Sequence, residues 1–344
     1  MKILHTADIH LGVKYSKLSK EKQLLLRDES IFNIRKLFDI AKTEGYDVVL
    51  ICGDLFHFKS VASSISKAFF DAVKGFLGPV IYISGNHDES FILPLQLPEN
   101  FIVLDNVNTS YQYQGVTFHN KYYQDFDKLQ TNILLLHGNI ENTSDVDYFE
   151  INNYLNQGFD YIALGHVHQY KQFRTGNNIY AYSGSLFSSG FDESGEKGFI
   201  KLEIKDQSVK TLQFCPFAAR KFIVCLSDIS GLITNSEIIE KIEEDLKEIK
   251  AKKQDIVRVV LKGALNEENE RSVPLILNKF SDYFYFEIQD KTTLKIDIDK
   301  IKKEKLSFKY EFISLVEESQ LDDDSKRIIC EIGLEALKGE DINI

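Results

Sequence analysis

The 344-residue sequence lacks the features that would place it in a membrane or in an oxidising compartment. Its longest apolar runs, such as residues 48–52, are far shorter than the roughly 18 residues that a membrane-spanning helix needs. The four cysteines are scattered and form no Cys-x-x-Cys pair, which favours a reducing, cytoplasmic location. The first residues run directly into a polar Asp-Ile-His segment, so we expect no signal peptide and no association with a membrane.

Basic side chains are also in short supply: 41 Lys and Arg stand against 52 Asp and Glu, for a net charge of −11. This argues against tight, indiscriminate nucleic-acid binding, because a protein must neutralise phosphates to bind them. The charge is uneven, however, with sums of −5, +1 and −7 over residues 1–205, 206–310 and 311–344. The ordinary composition excludes wholesale disorder and fibrous architectures, and the length allows two or three domains.

The first 205 residues alternate short apolar runs with helical patterns. Strands are predicted over residues 2–5, 48–52, 80–83, 101–104, 133–136 and 161–164, and helices over residues 24–41 and 65–76. Strands that alternate with helices predict a layered α/β domain.

The pattern changes after residue 205. An amphipathic helix over residues 235–250, with Asn235 or Ser236 as its N-cap, and strands over residues 221–226, 256–261, 283–288 and 294–298 predict a smaller α+β domain at 206–310. Residues 311–344 are predicted to form an acidic linker and a C-terminal helix over residues 325–338.

Five loops that follow predicted strands carry the same kinds of polar residue. They are Asp8-Ile9-His10, Gly53-Asp54-Leu55-Phe56-His57, Gly85-Asn86-His87-Asp88, His137-Gly138-Asn139 and Gly165-His166-Val167-His168, and they hold six of the eight histidines. Because ligands of α/β sheets bind beyond the carboxyl ends of the strands, we expect these loops to converge on one site. The glycines before Asp54, Asn86 and His166 are expected to let the backbone turn sharply. His5 and His119 fall outside this pattern and are interpreted as structural residues.

Seven side chains in these loops are candidate metal ligands: Asp8, His10, Asp54, Asn86, His137, His166 and His168. Carboxylate, carboxamide and imidazole together suit manganese, iron or zinc. Seven ligands are too many for one tetrahedral ion and suit a pair of ions about 3.5–4 Å apart that share one carboxylate. Such a pair activates water for an in-line displacement at phosphorus.

The order of these motifs resembles the calcineurin-like metallophosphoesterase superfamily over residues 1 to about 204. The segments 5–12 and 53–57 further resemble the SbcD-type nuclease subunits of double-strand-break repair complexes. The resemblance implies a layered β-sandwich flanked by helices, with two divalent ions, manganese foremost. It assigns Asp8, His10, Asp54 and His168 to one ion and Asp54, Asn86, His137 and His166 to the other, so that Asp54 bridges them.

The same resemblance implies roles for three further residues. His87 would donate a proton to the leaving 3′ oxygen, a role that suits an imidazole. His57 stands where many phosphatases of the superfamily carry an aspartate, which favours the nuclease branch, in which this histidine contacts the scissile phosphate. Asp88 either orients His87 or caps a turn.

The remainder of the chain resembles these nucleases only loosely. The domain at 206–310 would be a cap that positions DNA, with Lys252, Lys253, Lys302 and Lys303 as candidate substrate contacts, although such lysines are as often an ordinary solvated surface. The final helix resembles the segment that docks on an SbcC-like coiled-coil ABC ATPase. A homodimer is expected, through helices such as that over residues 24–38.

The leading hypothesis is therefore a manganese-dependent nuclease of DNA repair and recombination. It would act as a 3′-to-5′ exonuclease on double-stranded DNA and as an endonuclease on single strands, together with an SbcC-like ATPase. The alternative is a phosphatase or phosphodiesterase of the same superfamily that acts on a smaller substrate. A non-enzymatic scaffold is disfavoured, because every expected ligand is present.

Overall fold

The computed structural model describes residues 1–58, 61–89, 91–122, 127, 129–193, 195–218, 220–266, 269–294 and 307–336. The chain divides into two compact units, Met1–Ile223 and Val224–Ile344. Within the described ranges, no helix is long and apolar enough to span a bilayer.

The first unit contains twelve strands and two long helices among its described residues. In chain order they are β1 (Lys2–Thr6), α1 (Lys20–Thr43), β2 (Val48–Cys52), α2 (Ser63–Lys74), β3 (Val80–Ile83), β4 (Phe101–Val103), β5 (Ser110–Tyr113), β6 (Val116–His119), β7 (Thr131–His137), β8 (Tyr161–Gly165), β9 (Lys171–Thr175), β10 (Asn178–Tyr182), β11 (Gly198–Lys205) and β12 (Ser208–Pro216), with a short 3₁₀ helix at Ile151–Asn153.

These strands form two six-stranded sheets, ordered β12-β11-β1-β2-β3-β4 and β5-β6-β7-β8-β10-β9. Strands β1 to β4 run parallel in the first sheet, and β6, β7, β8 and β10 run parallel in the second. A shared core that includes Leu50 from the first sheet and Leu135 and Tyr161 from the second packs the sheets face to face. The predicted α/β class is confirmed.

Strand β2 shows why its sequence is apolar throughout. Leu50 points into the core between the sheets, whereas Val49 and Ile51 point outward against Leu37 of α1 and Phe69 of α2. A strand covered on both faces has no position for a polar side chain, and each such buried aliphatic side chain stabilises the fold by about 1.5–3 kcal/mol. The outer face of the second sheet is covered differently, because Leu155 and Phe159 from the segment before β8 pack there.

The pairing of strand β12 places the boundary between the two units later in the chain than predicted. Strand β12 pairs antiparallel with β11 along its length, from Gly198 opposite Pro216 to Lys205 opposite Ser208. The prediction placed residues 206–216 in the second domain, but they complete the first sheet. The first compact unit accordingly ends at Ile223 rather than at residue 205.

The second unit is a small α+β arrangement followed by two helices. Its elements are β13 (Phe222–Asp228), which begins at the boundary, α3 (Asn235–Glu248), β14 (Ile256–Lys262), β15 (Ala264–Leu265), α4 (Val273–Lys279), β16 (Tyr285–Asp290), β17 (Thr293–Leu294), α5 (Phe308–Glu318) and α6 (Asp323–Ala336). Strands β13, β14 and β16 form one sheet, and β15 pairs with β17. Most of the strand predicted over 294–298 lies outside the described residues.

Two local predictions in this unit are corrected. The N-cap of α3 is Thr234 rather than Asn235 or Ser236, because Thr234 and Glu237 form a reciprocal capping box. The start of the predicted acidic linker is helical, since α5 extends to Glu318. Helices α5 and α6 pack through Ile313, Val316, Cys330 and Leu334.

Candidate metal centre

The loops after β1 and β2 lie side by side beyond the ends of their strands. The backbone N–H of Asp8 donates to the carbonyl of Gly53 at 3.1 Å, and that of His10 donates to the carbonyl of Asp54 at 2.9 Å. The loop after β8 joins them from the other sheet, because the N–H of His166 donates to both carboxylate oxygens of Asp8 at 3.0 and 3.1 Å. The parallel strands of both sheets therefore deliver their loops to one place, as predicted.

Several residues of these loops have a left-handed backbone. The φ angles are 50° at Asp8, 48° at His10, 51° at Asp54 and 100° at His166. Non-glycine residues in this region cost about 1–3 kcal/mol each and persist where the surrounding structure holds them. The clustering of such residues at the strand ends marks this place as a functional site.

The glycines of these loops serve close approach as much as turning. Gly53 does have a positive φ of 86°, and a Cβ there would lie 2.1 Å from Nδ1 of His137. Gly85 and Gly165 have no left-handed backbone, so the chain bends after them without the positive φ that glycine favours. A Cβ at Gly165 would lie 1.8 Å from the carbonyl oxygen of Cys52, and one at Gly85 would lie 2.2 Å from Oδ1 of Asp54.

A first group of donors consists of Asp8, His10 and His168, whose ligand atoms lie within 4.8 Å of one another. Nε2 of His10 lies 3.1 Å from Nε2 of His168 and 3.7 Å from Oδ2 of Asp54. Nδ1 of His168 faces Oε1 of Glu193 at 3.0 Å. This carboxylate holds a proton on Nδ1, so that in the neutral ring Nε2 carries the lone pair that can bind a metal.

A second group consists of Asp8, Asp54 and His137. Nε2 of His137 lies 3.5 Å from Oδ2 of Asp54 and 3.1 Å from Oδ1 of Asn86. Nδ1 of His137 donates to the carbonyl of Cys52 at 2.9 Å, so that in the neutral ring Nε2 is the nitrogen that carries the lone pair. Asp54 thus lies between the imidazoles of His10 and His137, Asp8 belongs to both groups, and the bridging role of Asp54 stays a prediction.

His166 is placed less directly than the other predicted ligands. Its ring packs edge-on against His137 with centroids 5.3 Å apart, but its Nε2 is 3.0 Å from Oδ2 of Asp145. His166 also groups with Asp145 and Asp147. If His166 binds a metal together with His137, it does so through Nδ1.

Burial and charge set the proton affinities of the centre. Burial raises the pKa of Asp8 above its ordinary value. Burial also opposes ionisation of Asp54, but the hydrogen bond and charge of His137 outweigh it and hold the pKa of Asp54 at about 2. Burial and the neighbouring His168 lower the pKa of His10 to about 3. Burial also acts to lower the pKa of His137, but the hydrogen bond to Asp54 and the charges of Asp8 and Asp54 outweigh it and raise the pKa to about 9.

This donor set fits divalent metal ions. Nε2 of His10 lies 3.1 Å from Nε2 of His168, and Oδ2 of Asp54 lies 3.7 Å from Nε2 of His10 and 3.5 Å from Nε2 of His137, so that imidazole nitrogens and a carboxylate converge at distances that two ligands of one cation would have. Asp8, His10 and His168 would hold one ion, and Asp54, His137 and Asn86 the other, with Asp54 or Asp8 shared between them. Mixed carboxylate, amide and imidazole ligation leaves manganese, iron and zinc as candidates.

His57 and His87 lie beside the first group. Nδ1 of His57 is 3.2 Å from Nδ1 of His10, and the rings of His57 and His87 stack with centroids 5.0 Å apart. Nδ1 of His87 is 3.3 Å from the carbonyl of His57. His87 is exposed, so that its ring lies at the solvent side of the centre, where a substrate would enter.

Asp88 has the second of its two expected roles. Its Oδ2 accepts the N–H groups of Leu55 at 2.7 Å and Phe56 at 3.1 Å, and its Oδ1 accepts that of Gly85 at 2.8 Å. The buried carboxylate therefore fastens the loop after β3 to the loop after β2. These contacts favour a turn-fixing role over orientation of His87.

The predicted DNA contacts lie in the second unit. Lys253 pairs with Asp282 at 2.9 Å and lies 4.1 Å from the ring centroid of Tyr283. Lys252 is exposed and donates its backbone N–H to Asp255. Lys302 and Lys303 lie outside the described residues, and contact of these lysines with DNA stays a prediction.

Sequence reasoning missed Glu193, Lys197 and Asp145. Glu193 and Lys197 occur in a stretch of charged residues and glycines that has the composition of an exposed loop. The side chain of Glu193 is only 8% exposed and that of Lys197 only 1%, and this burial is what marks the two residues as unusual. The sequence pattern of the segment did not predict that burial.

The two-sheet sandwich and its buried carboxylate–imidazole centre at the strand ends define a metallophosphoesterase domain. Residues 1–170 match the family model for calcineurin-like phosphoesterases, and this part of the chain belongs to the calcineurin-like metallophosphoesterase superfamily of metal-dependent hydrolases.

The solved structures that the chain matches share little sequence with it. An archaeal phosphodiesterase has 17% identity over 62% of this chain and 100% of its own, with a TM-score of 0.35. Vps29 from Entamoeba histolytica, solved with zinc, has 16% identity over 63% and 100%, with a TM-score of 0.36. A putative 5′-nucleotidase from Staphylococcus aureus has 12% identity over 74% and 60%, with a TM-score of 0.39. At these values the likenesses carry no further argument.

Proposed function

We propose that this protein is a two-metal-dependent DNA nuclease, a 3′-to-5′ exonuclease on double-stranded DNA and an endonuclease on single strands. The observation that carries the proposal is the stacked pair of His57 and His87 beside His10. A second imidazole at position 57, in place of the aspartate of many phosphatases, supplies a hydrogen-bond donor to a phosphodiester without adding negative charge. Manganese is the metal that we expect in both positions.

The chain's own residues have separate tasks in this proposal. When bound, the two ions supply an activated water and neutralise the charge that develops at phosphorus. His57 hydrogen-bonds a non-bridging oxygen of the scissile phosphate and thereby orients it. His87 gives a proton to the departing 3′ oxygen, for which its exposed ring beside His57 is suitably located. Asp88 keeps the loop of His87 fixed to that of Asp54.

Partners are part of the proposal. An SbcC-like ABC ATPase would dock on the hairpin of α5 and α6, which leaves Leu315, Ile328, Ile329 and Ile332 exposed. A homodimer would form through α1, where Leu24, Leu25 and Phe32 are exposed. The complex would act in DNA repair in the cytoplasm.

A comparison of substrates tests the proposal. The purified protein with manganese is incubated with linear duplex DNA, with single-stranded circular DNA and with an aryl phosphomonoester. We expect shortening of the duplex from its 3′ ends and opening of the circles, both abolished by a chelator. Efficient hydrolysis of the monoester with both DNA substrates intact would instead identify a phosphatase acting on a smaller substrate.

A further inference from the structure

Behind His168, on the side away from Asp8 and His10, lies a buried pair of opposite charges. The side chain of Glu193 is 8% exposed and that of Lys197 is 1% exposed, and Nζ of Lys197 lies 3.4 Å from Oε2 of Glu193. Charged side chains are seldom buried to this extent, and a buried ion pair is by itself a weak source of stability. The pair therefore calls for an explanation other than the stability of the fold.

Glu193 is surrounded by donors at both of its oxygens. Oε1 faces Nδ1 of His168 at 3.0 Å and accepts the hydroxyl of Ser189. Oε2 accepts the N–H of Ser189 at 3.2 Å and the hydroxyl of Ser185 at 3.3 Å. The carboxylate is thus fixed in position, and so is the imidazole that donates to it.

Lys197 fastens the other end of the same histidine. Its Nζ donates to the backbone carbonyl of His168 at 2.7 Å while it pairs with Glu193. Both the main chain and the ring of His168 are therefore held by the two charged side chains, and the remaining ring nitrogen, Nε2, faces His10 at 3.1 Å. A carboxylate behind a ligating imidazole fixes its tautomer and orientation and makes it a better donor.

We propose that Glu193 is a positioning residue of the metal centre, which holds His168 with Nε2 directed at the Asp8 and His10 side, and that Lys197 neutralises Glu193 in that place. The inference rests on the metal centre of the proposed function. It assigns a role to a carboxylate that is not a metal ligand itself.

The decisive variant is Glu193→Gln. It keeps the size of the side chain, but an amide presents an NH₂ group on one side, and in either orientation that group would face a donor of the surrounding cluster. Glu196→Gln is the matched control, because Glu196 belongs to the same segment, is exposed and pairs with Lys221 rather than with His168. Lys197→Met and the double variant Glu193→Gln/Lys197→Met separate the charge balance from the contact with His168.

Manganese binding to the full-length chain is measured by titration calorimetry, and the melting temperature of each metal-free variant is recorded. We expect two sites in the wild type and in Glu196→Gln. In Glu193→Gln one site should weaken about 10–100-fold while the other changes little. The double variant, which has no unpaired buried charge, should melt near the wild type and still lack the affinity of that site. Lys197→Met should retain more of the affinity than Glu193→Gln.

Three results would overturn the inference. Unchanged affinities in Glu193→Gln would show that His168 needs no carboxylate behind it. Equal weakening of both sites together with a lower metal-free melting temperature, in Glu193→Gln and the double variant alike, would show a merely structural role. A wild-type protein without any manganese binding would refute the metal centre itself, and this inference with it, so that the two failures are distinguishable.

Discussion

Replacement of Asp54 by Asn is the sharpest test of the metal centre. Asp54 is buried between His10 and His137, and its Oδ1 accepts the N–H of His87 at 2.9 Å. Asn keeps the size and this acceptor, and it tolerates the left-handed φ of 51° better than Ala would. What it removes is one negative charge where two cations are expected to lie. The effect on metal binding is therefore separated from backbone strain.

The magnitude follows from mass action. A ligand at a hundredfold excess over its Kd stabilises the folded state by about 2.7 kcal/mol, so two sites give about 5 kcal/mol. For a unit of this size, that corresponds to a rise in melting temperature of roughly 10–20 °C. We expect wild-type protein with excess manganese to show such a rise and the Asp54→Asn protein to lose more than half of it.

The assay is calorimetric unfolding with manganese and with a chelator, and Asp39→Asn on the exposed face of α1 is the matched control. In the metal-free state the lowered pKa of Asp54, about 2, stabilises the protein above pH 4 by about 2–3 kcal/mol, so the variant should remain folded. A full manganese-induced rise in Asp54→Asn would refute the bridging assignment, and undiminished DNA cleavage by this variant would refute it independently.

Three further predictions concern the acid, the loops and the core. His87→Asn should retain the manganese-induced rise in melting temperature but cleave DNA about 10²–10⁴-fold more slowly in single-turnover assays; loss of metal binding would contradict its role as proton donor. Gly53→Ala should place a Cβ against Nδ1 of His137, lower the free energy of unfolding measured in urea by about 1–3 kcal/mol, and weaken manganese binding. Manganese affinity equal to that of the wild type would show that the loop adapts. His5 is fully buried, and burial lowers its pKa to about 3, so it stays neutral in the folded protein. The contribution of neutral His5 to stability is therefore complete above pH 6.5 and is lost as pH falls toward 3. In the presence of a chelator, His5→Gln should reduce the slope of unfolding free energy against pH by about 1.4 kcal/mol per pH unit between about pH 6 and 4. An unchanged slope would contradict this assignment.

Several strands that are covered on both faces were well predicted, although the fully buried β10 was not. The bounds of β2 and β3 agree with the predicted runs at 48–52 and 80–83, because a strand buried on both faces is apolar throughout. The hairpin strands β5 and β9 were not predicted, since their half-exposed residues show no apolar run. Helix α5 was taken for part of a linker because its acidic residues suggested solvent-exposed coil.

The motifs of the centre were likewise readable, because each ligand directly follows a strand whose apolar run is distinct. The sequence by itself determined the α/β class, the five loops and the chemical identity of the donors, since these depend on local pattern and residue type. Only the tertiary structure decided that Gly85 and Gly165 are needed for close approach, that Asp88 binds backbone N–H groups, and that Nε2 of His166 faces Asp145. It also decided that Glu193 and Lys197 are buried behind His168. Such contacts join residues distant in the chain, and burial of a charged side chain depends on what covers it, which a single segment does not encode.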